Sequence, residues 1–226
     1  MPLPSFLRAL VPGAVLRWRS RQLMRRQAAA LAALRHPAVN FPDLYRSVRK
    51  SEWYSTLQVE SEIVALLERV RERQCQTLLE IGTASGGTLY LLTRAASRHA
   101  TLVTLDLAHD PDRLAGIATF ALDQQRIVPV TGNSNDPQTL DRVRGLLAGR
   151  PLDFLLIDGD HSAYAVRRDF ELYAPLVAPG GMIALHDICL AGGVKEFWPE
   201  LKARYRHEEL VGDPAQTVCG IGILYV

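Results

Sequence analysis

The sequence predicts an α/β fold in which a doubly wound, mostly parallel seven-stranded sheet follows a helical N-terminal extension. Short apolar runs alternate with helical stretches from residue 57 onward. Such runs, separated by helices, indicate strands that are buried on both faces. The 226-residue length suits one such domain plus an extension. We place the boundary between extension and domain after residue 56, giving segments 1–56 and 57–226.

The predicted elements of the α/β segment follow one another in a regular order. A helix over 59–73 comes first, with apolar side chains at helical spacing. Each of the first five strands is then followed by a helix, and two further strands close the chain. The strands are predicted at 77–81, 102–106, 126–130, 152–158, 181–186, 207–211 and 220–226, and the helices near 87–98, 111–124, 136–148, 162–174 and 192–205.

The extension differs from the rest of the chain in charge. Residues 1–50 contain ten Lys/Arg and one acid, a net +9, whereas residues 51–226 contain 16 basic and 23 acidic residues, a net −7. Leu16, Leu23, Leu31 and Leu34 are predicted on one side of a helix, with Ala28 and Ala32 beside them and Arg17, Arg21 and Arg25 on another. This pattern favours a helix packed on the body or on a partner subunit. Peripheral contact of residues 1–35 with an anionic membrane is the alternative, and nucleic-acid binding is not expected.

The composition excludes several classes of protein. Hydrophobic residues make up 48% and charged residues 22%, which is typical of a globular domain and not of a disordered chain or collagen. Three scattered cysteines are too few for a disulfide scaffold and fit a reducing compartment. No uncharged apolar run is long enough to cross a bilayer. We therefore expect a cytoplasmic protein, with membrane association left open by the basic extension.

The first three strand ends carry residues suited to a nucleoside-like cofactor. Glu80 precedes a turn in which glycines allow close backbone approach, but the pattern is not G-x-G-x-x-G, so a cofactor without a pyrophosphate fits better than a dinucleotide. Asp106 could accept hydrogen bonds from both ribose hydroxyls. Asn133 and Ser134 could bind an adenine edge. The predicted cofactor residues are Glu80, Gly82, Thr83, Ser85, Gly86, Gly87, Asp106, Asn133 and Ser134.

The fourth and fifth strands end in a second polar group. Asp158 ends the fourth strand, and His186 and Asp187 end the fifth. Because neighbouring parallel strands meet at one edge, these three side chains are predicted to converge as ligands of a divalent ion such as Mg²⁺ or Mn²⁺. Each of them could instead cap a segment or line the wall. His161 is a candidate general base.

Taken together, these residues resemble class I S-adenosylmethionine-dependent methyltransferases over residues 57–226. The loop at 80–88 resembles the family's cofactor loop, and Asp106 its ribose-binding acid. Motifs at 157–162, 179–187 and 193–198 are similar to cephalosporin-hydroxylase-like proteins and metal-dependent sugar O-methyltransferases of the macrolide type. The resemblance implies Asp158 and His161 as catalytic residues and Asp158, His186 and Asp187 as metal ligands. His186 departs from the pattern, since the sugar enzymes carry a second acid there.

The resemblance implies S-adenosylmethionine-dependent O-methylation of a small molecule, with a sugar or glycosylated natural product as the expected acceptor. A phenolic or catechol-like acceptor and a non-catalytic cofactor-binding subunit are the alternatives, and a homo-oligomer is possible in either case. The acceptor is expected under segments 40–60 and 187–200. Their aromatic residues could form a lid or pack in the core; they are Trp53, Tyr54, Phe197 and Trp198.

Overall fold

The structure is a computed structural model that describes residues 13–34 and 40–226. It contains a seven-stranded sheet with helices on both faces, as the sequence predicts. The strands are β1 (Thr77–Ile81), β2 (Thr101–Asp106), β3 (Arg126–Thr131), β4 (Leu152–Ile157), β5 (Val177–His186), β6 (Arg206–Leu210) and β7 (Ile221–Tyr225). The helices are α1 (Gly13–Ala33), α2 (Phe41–Arg49), α3 (Glu60–Glu72), α4 (Gly87–Ala95), α5 (Pro111–Ile117), α6 (Pro137–Leu147), α7 (Ala163–Tyr173) and α8 (Gly193–Lys202).

The strand order is β3-β2-β1-β4-β5-β7-β6, and only β7 runs antiparallel to its two neighbours. Apolar runs fill the central strands because helices cover both faces; β1 is buried at every position. The sheet order changes direction at β1 and β4, where the carboxyl ends of these strands face a common crevice. Ligands bind in such crevices in open α/β sheets.

The helix predicted over 111–124 is shorter than expected. It ends at Ile117 and tightens into a 3₁₀ turn at Ala118–Phe120. A turn then leads into β3, in which Gln125 N–H donates to the Leu122 carbonyl and its side chain accepts from the Leu122 N–H. The turn replaces the last helical residues because the chain must reverse before β3 begins.

The extension and the α/β segment share one hydrophobic core. Met24, Ala28 and Leu31 of α1 are buried with the apolar residues of α3 and α4. Tyr90 donates a 2.9 Å hydrogen bond from its hydroxyl to the Leu31 carbonyl. The predicted apolar side of α1 is correct for Ala28, Leu31 and Ala32 but wrong for Leu23, which is 46% exposed while Met24 is buried. The side chain of Leu16 lies outside the described residues.

The aromatic residues of the predicted acceptor segments belong mainly to the core. Tyr54, Phe197 and Trp198 are at most 3% exposed, and Trp53 packs against the core. Trp198 also donates from its indole nitrogen to Glu209 at 2.6 Å. Core packing, rather than a lid, is therefore the role that the structure assigns to them. No helix of the described residues is long and apolar enough to span a bilayer.

Candidate active site

The carboxyl edge of the sheet holds two cavities that form one groove. The first, about 600 Å³, lies over the ends of β1, β2 and β3, and the second, about 840 Å³, lies over β1, β4 and β5. Both volumes are in the range of small-molecule sites. They share five lining residues, which are Gly82, Ala84, Asp106, Asp158 and Gly159.

The glycine turn after β1 allows the chain to pack closely beneath this groove. Gly82 has a φ of +97°, and a Cβ there would collide with the carbonyl oxygen of Asp158. A Cβ at Gly87 would collide with the carbonyl of Ser55. Gly86 is the residue before α4 and has a φ of +82°. These glycines let the turn approach both the β4 end and the extension.

The first cavity carries most of the predicted nucleoside contacts. Asp106 is half-buried, and its carboxylate accepts from the Ala84 N–H at 2.8 Å and more distantly from the Ala108 N–H at 3.3 Å. Lone pairs remain for further donors. Asn133 and Ser134 also line this cavity, as does Leu107, which is 69% exposed. The cavity therefore offers an acid, an apolar surface and amide or hydroxyl groups in sequence.

Thr83, Ser85 and Gly87 line the second cavity, whereas Glu80 and Gly86 line neither one. Glu80 is 1% exposed, and burial raises the pKa of its carboxyl to about 8, although a hydrogen bond from Thr104 opposes this shift. Its Oε2 accepts from Thr104 at 2.7 Å, and its Oε1 has no partner among the described residues. Glu80 is therefore connected to the second cavity only indirectly, through the hydroxyl groups of Thr104 and Thr83.

A chain of hydrogen bonds connects Glu80 to the surface loop after β2. Thr104 donates to Glu80, so Thr83 must donate to Thr104 across their 2.5 Å contact. His109 Nε2 lies 3.3 Å from Thr83, and its Nδ1 lies 2.8 Å from the Thr131 hydroxyl. Burial lowers the pKa of His109 despite the nearby Asp106. All of these hydrogen bonds can form if His109 is neutral and carries its proton on Nε2. Nε2 then donates to Thr83, and Nδ1 accepts from the Thr131 hydroxyl.

A buried acid also supports the wall of the first cavity. Asn135 Nδ2 donates to Asp169 Oδ1 at 2.6 Å. Burial raises the pKa of Asp169 to about 6, and its Oδ2 has no partner among the described residues. Sequence analysis missed this pair. The signal was present, since Asp169 interrupts the apolar face of α7 formed by Ala165, Val166 and Phe170.

The β4 and β5 ends bring the predicted acidic and histidine side chains together in the second cavity. His186 Nδ1 lies 3.1 Å from Asp158 Oδ1 and 3.1 Å from Asp187 Oδ2. His161 Nδ1 lies 3.3 Å from Asp187 Oδ2, and its Nε2 lies 3.9 Å from Asp158 Oδ1. His186 and Asp187 are buried, whereas the His161 side chain is 46% exposed. His161 is therefore the member of this cluster most open to an incoming molecule.

The cluster requires a positive charge between its carboxylates. Burial opposes a charged His186, but contacts with Asp158 and Asp187 raise its pKa to about 10. Burial also acts against ionised Asp187, but His186 holds the pKa of that carboxyl below its usual range. Neither carboxylate is aligned with Nδ1 as a hydrogen-bond acceptor. A proton on Nδ1 or a cation bound among these atoms would supply the charge.

Strained backbone conformations are concentrated around the second cavity. Five non-glycine residues of the described chain have a positive φ, and three of them line the second cavity. These three are Ala84 (+45°), Asp187 (+66°) and Cys219 (+58°). Such conformations cost of order 1–3 kcal/mol each and cluster at functional sites. Asp187 follows the last residue of β5, and its carboxylate faces both His186 and His161.

The short segment between the extension and α3 contributes a side chain that sequence analysis did not identify. Gln58 is 5% exposed and donates from Nε2 to Asp158 Oδ2 at 2.8 Å. Its own carbonyl accepts from the Tyr45 hydroxyl, also at 2.8 Å, which ties it to α2. No motif surrounds Gln58, so only the packing of the segment between the extension and α3 reveals this contact.

Residues 79–188, just under half of the chain, match a family of methyltransferase domains. This span runs from the second half of β1 to just after β5, and it contains the residues at the strand ends that line both cavities. The chain carries a class I methyltransferase domain. The methyltransferase fold predicted from the sequence is thereby confirmed.

Two curated relatives match the methyltransferase domain in part. Demethylmacrocin O-methyltransferase of Streptomyces fradiae is 37% identical over 79 residues, which are 34% of this chain and 18% of the relative. Mycinamicin VI 2''-O-methyltransferase of Micromonospora griseorubida is 31% identical over 91 residues, which are 40% of this chain and 21% of the relative. The chain thus matches only about a fifth of the length of these relatives.

Solved structures share the architecture of the methyltransferase domain. An O-methyltransferase from Bacillus cereus, in complex with SAH, has a TM-score of 0.59 at 19% identity, covering 91% of this chain and 99% of its own. The O-methyltransferase TomG from Streptomyces achromogenes, in complex with SAM, scores 0.58 at 18% identity, with 91% and 98% coverage. The N-methyltransferase NodS from Bradyrhizobium japonicum scores 0.55 at 14% identity, with 83% and 98% coverage. These likenesses establish the fold, which does not by itself select oxygen or nitrogen as acceptor.

Proposed function

We propose that the chain transfers the methyl group of S-adenosylmethionine to a hydroxyl oxygen of a small molecule. The observation that carries this proposal is the continuous groove that runs from Asp106 to the cluster at Asp158, His161 and Asp187. One end offers the groups that a nucleoside needs, and the other offers a solvent-accessible imidazole beside two carboxylates. The partial relatives named above are O-methyltransferases, which supports oxygen as the acceptor atom.

The residues of the first cavity fit the adenosine half of that cofactor. The Asp106 carboxylate would accept from the ribose hydroxyls. Leu107 would cover a face of the adenine ring, and Asn133 and Ser134 would meet its polar edge. The glycine turn would bring backbone against the methionine half, next to Thr83 and Ser85. Glu80 would act indirectly, through the hydroxyl groups of Thr104 and Thr83.

His161 is suited to remove the proton of the acceptor. When bound, S-adenosylmethionine supplies an activated methyl group, so the protein must mainly align and deprotonate the acceptor hydroxyl. If Nδ1, which lies 3.3 Å from Asp187 Oδ2, carries the proton of the neutral imidazole, Nε2 would be the atom that accepts the acceptor's proton. The carboxylates of Asp187 and Asp158 would then stabilise the imidazolium.

The cluster also fits a divalent cation. Neighbouring ligands of an octahedral Mg²⁺ lie about 3 Å apart, and His186 Nδ1 has this separation from the facing oxygens of both Asp158 and Asp187. The lack of an aligned hydrogen bond at Nδ1 is consistent with a ligand role. An imidazole in the set favours Mn²⁺ over Mg²⁺. Such a cation would lower the pKa of the acceptor hydroxyl.

The rim of the second cavity supports a glycosylated natural product as the acceptor. Leu57 is 85% exposed and Val218 is 54% exposed, and both line this cavity with Leu190. The floor beneath them is polar and charged. An acceptor with a hydroxyl-bearing sugar and an apolar remainder would match both surfaces.

The three cysteines are free thiols, which supports a reducing, cytoplasmic setting.

Calorimetric titration of S-adenosylmethionine tests the proposal. The titration is made with EDTA present and repeated with Mg²⁺ or Mn²⁺. Saturable binding is expected in every case, and no binding in any of them would overturn the proposed function. A Mn²⁺-dependent turnover on a panel of glycosides would support the cation site, whereas full turnover in EDTA would remove the metal from the proposal and leave the cofactor in place.

A further inference from the structure

Helix α1 has an outward side, facing away from the body of the protein, that combines exposed apolar side chains with arginines. Successive residues of a helix are rotated by about 100°. Met24, Ala28 and Leu31 therefore form one side, which is buried against the body. Val15 lies opposite this side, and Trp18 and Leu23 lie on the two flanks of the outward side. We call this outward side the α1 outer face, formed by Val15, Trp18, Arg19, Gln22, Leu23 and Arg26.

The α1 outer face exposes large apolar side chains. Trp18 is 60% exposed, Leu23 is 46% exposed and Val15 is 39% exposed. A shallow cleft of about 360 Å³ lies between Trp18, Gln22 and Arg26. Among the residues that the structure describes, these exposed apolar side chains neither pack on the body nor line the active-site groove, and clustered exposed apolar surface marks an interaction site.

The charge of α1 identifies the chemistry of the partner. The helix contains five arginines and no acid. Arg21 pairs with Asp112 of α5 at 2.6 Å, which helps to anchor the helix. Arg19 and Arg26 lie within the outer face itself and are exposed. The partner must therefore combine negative charge with an apolar layer that can receive a tryptophan.

We infer that the α1 outer face docks on the surface of an anionic lipid bilayer. Tryptophan favours the boundary between headgroups and acyl chains, because its ring is apolar and its N–H is polar. Arginine side chains around it would meet anionic headgroups. The inner face would meanwhile hold α1 on the body, so docking requires no unfolding. A nucleic acid would satisfy the arginines but would leave Leu23 and Val15 without an apolar partner.

Vesicle flotation of the full chain provides the first test. Binding is expected to vesicles that contain phosphatidylglycerol, to weaken with added salt, and to be far weaker to pure phosphatidylcholine. Each arginine near an anionic surface contributes roughly a fivefold gain in affinity. The double substitution Arg19→Gln with Arg26→Gln is therefore expected to lose about tenfold or more. The matched control is Arg98→Gln with Arg126→Gln, which makes the same charge change at two exposed arginines outside α1.

Tryptophan fluorescence tests whether this face meets the lipid. The chain has three tryptophans; Trp198 is buried and Trp53 packs against the core, so lipids with brominated acyl chains should quench mainly Trp18. Trp18→Phe is expected to retain binding and to lose the quenching. Binding without quenching of Trp18, or equal binding by the Gln variants and their control, would overturn the inference.

Two further outcomes would also overturn it. One is binding to single-stranded RNA without binding to anionic vesicles. The other is the absence of vesicle binding together with a dimer, detected by light scattering, that the substitution Trp18→Ala dissociates. That result would make the α1 outer face a contact between two copies of the chain. Binding of S-adenosylmethionine is expected to be unchanged in all α1 variants, so a failure of the docking inference is distinguishable from a failure of the proposed function.

Discussion

Gln58 and Asp158 are 100 positions apart in the chain and are joined by a 2.8 Å hydrogen bond from Nε2 to Oδ2. This bond occupies one oxygen of Asp158, while the other oxygen faces His186 and His161. The short segment between the extension and α3 thereby orients the Asp158 carboxylate. Gln58 is a positioning residue in the proposed reaction, because it acts through Asp158.

Removing this donor should lower turnover more than cofactor binding. Gln58→Met keeps the length of the side chain and leaves Asp158 Oδ2 without its donor, a loss of about 1–3 kcal/mol for a buried group. We expect kcat to fall about tenfold, with the Kd for S-adenosylmethionine changed less than about threefold. Steady-state kinetics measures kcat, and calorimetry measures the Kd for S-adenosylmethionine. An equal loss of affinity and turnover would instead assign Gln58 a general structural role.

His161→Gln should abolish most turnover while cofactor binding persists. A positioned general base contributes roughly a hundredfold or more to the rate, and glutamine cannot accept the proton at neutral pH. The matched control is His99→Gln, since His99 is exposed and far along the chain from the cluster. If both variants keep the activity of the parent protein, the base lies elsewhere.

Asp106→Asn should weaken the binding of S-adenosylmethionine. Hydrogen bonds to a charged group are worth about 1.5–3 kcal/mol, so the Kd should rise roughly tenfold to a hundredfold. Isothermal calorimetry measures it. Asp141→Asn is the control, because Asp141 is an exposed acid whose ion pair with Arg144 lies on α6. An unchanged Kd for Asp106→Asn would contradict the assigned ribose contact.

The stability of the protein should depend on pH through Glu80. The pKa of its carboxyl is raised from 4.5 to about 8 in the folded chain, chiefly by burial. Between these values the folded state binds the proton more tightly than the unfolded state, so the free energy of unfolding falls as pH rises. Glu80→Gln removes this titration and should flatten that slope.

Urea unfolding over the same pH range measures the effect. Glu52→Gln, at an exposed position, is the control and should keep the slope of the parent protein. Asp169 and His186, whose pKa values are also raised in the folded chain, will keep part of the slope. A slope in Glu80→Gln equal to that of the parent protein would show that Glu80 is not a titrating group in this range.

The parts of the site that sequence analysis predicted depend on local signals and on one rule of topology. Apolar strands, the glycine turn and polar strand ends are each visible within a few residues. The rule that ligands bind at the carboxyl ends of parallel strands then places Asp158, His186 and Asp187 at one edge. The structure has β4 beside β5, so these three side chains do meet.

The remaining contacts depend on the packing of distant segments. Nothing in the sequence near Gln58 or His109 indicates that they join Asp158 or Thr83. Asp169 and Asn135 are likewise brought together by the docking of α7 beside the loop after β3. Contacts of this kind follow from the relative placement of helices and strands, which local periodicity does not specify.

The sequence by itself determined the order of strands and helices, the class of the fold and the strand ends that carry chemistry, because hydrophobic periodicity and glycine turns act locally. Only the tertiary structure decided which side of α1 is buried, since Met24 and Leu23 are adjacent and similarly apolar. It also decided that Ser55 and Thr56 of the extension, and Gln58 just after them, line the active-site groove, because a side chain's partners over long separations are set by packing in three dimensions.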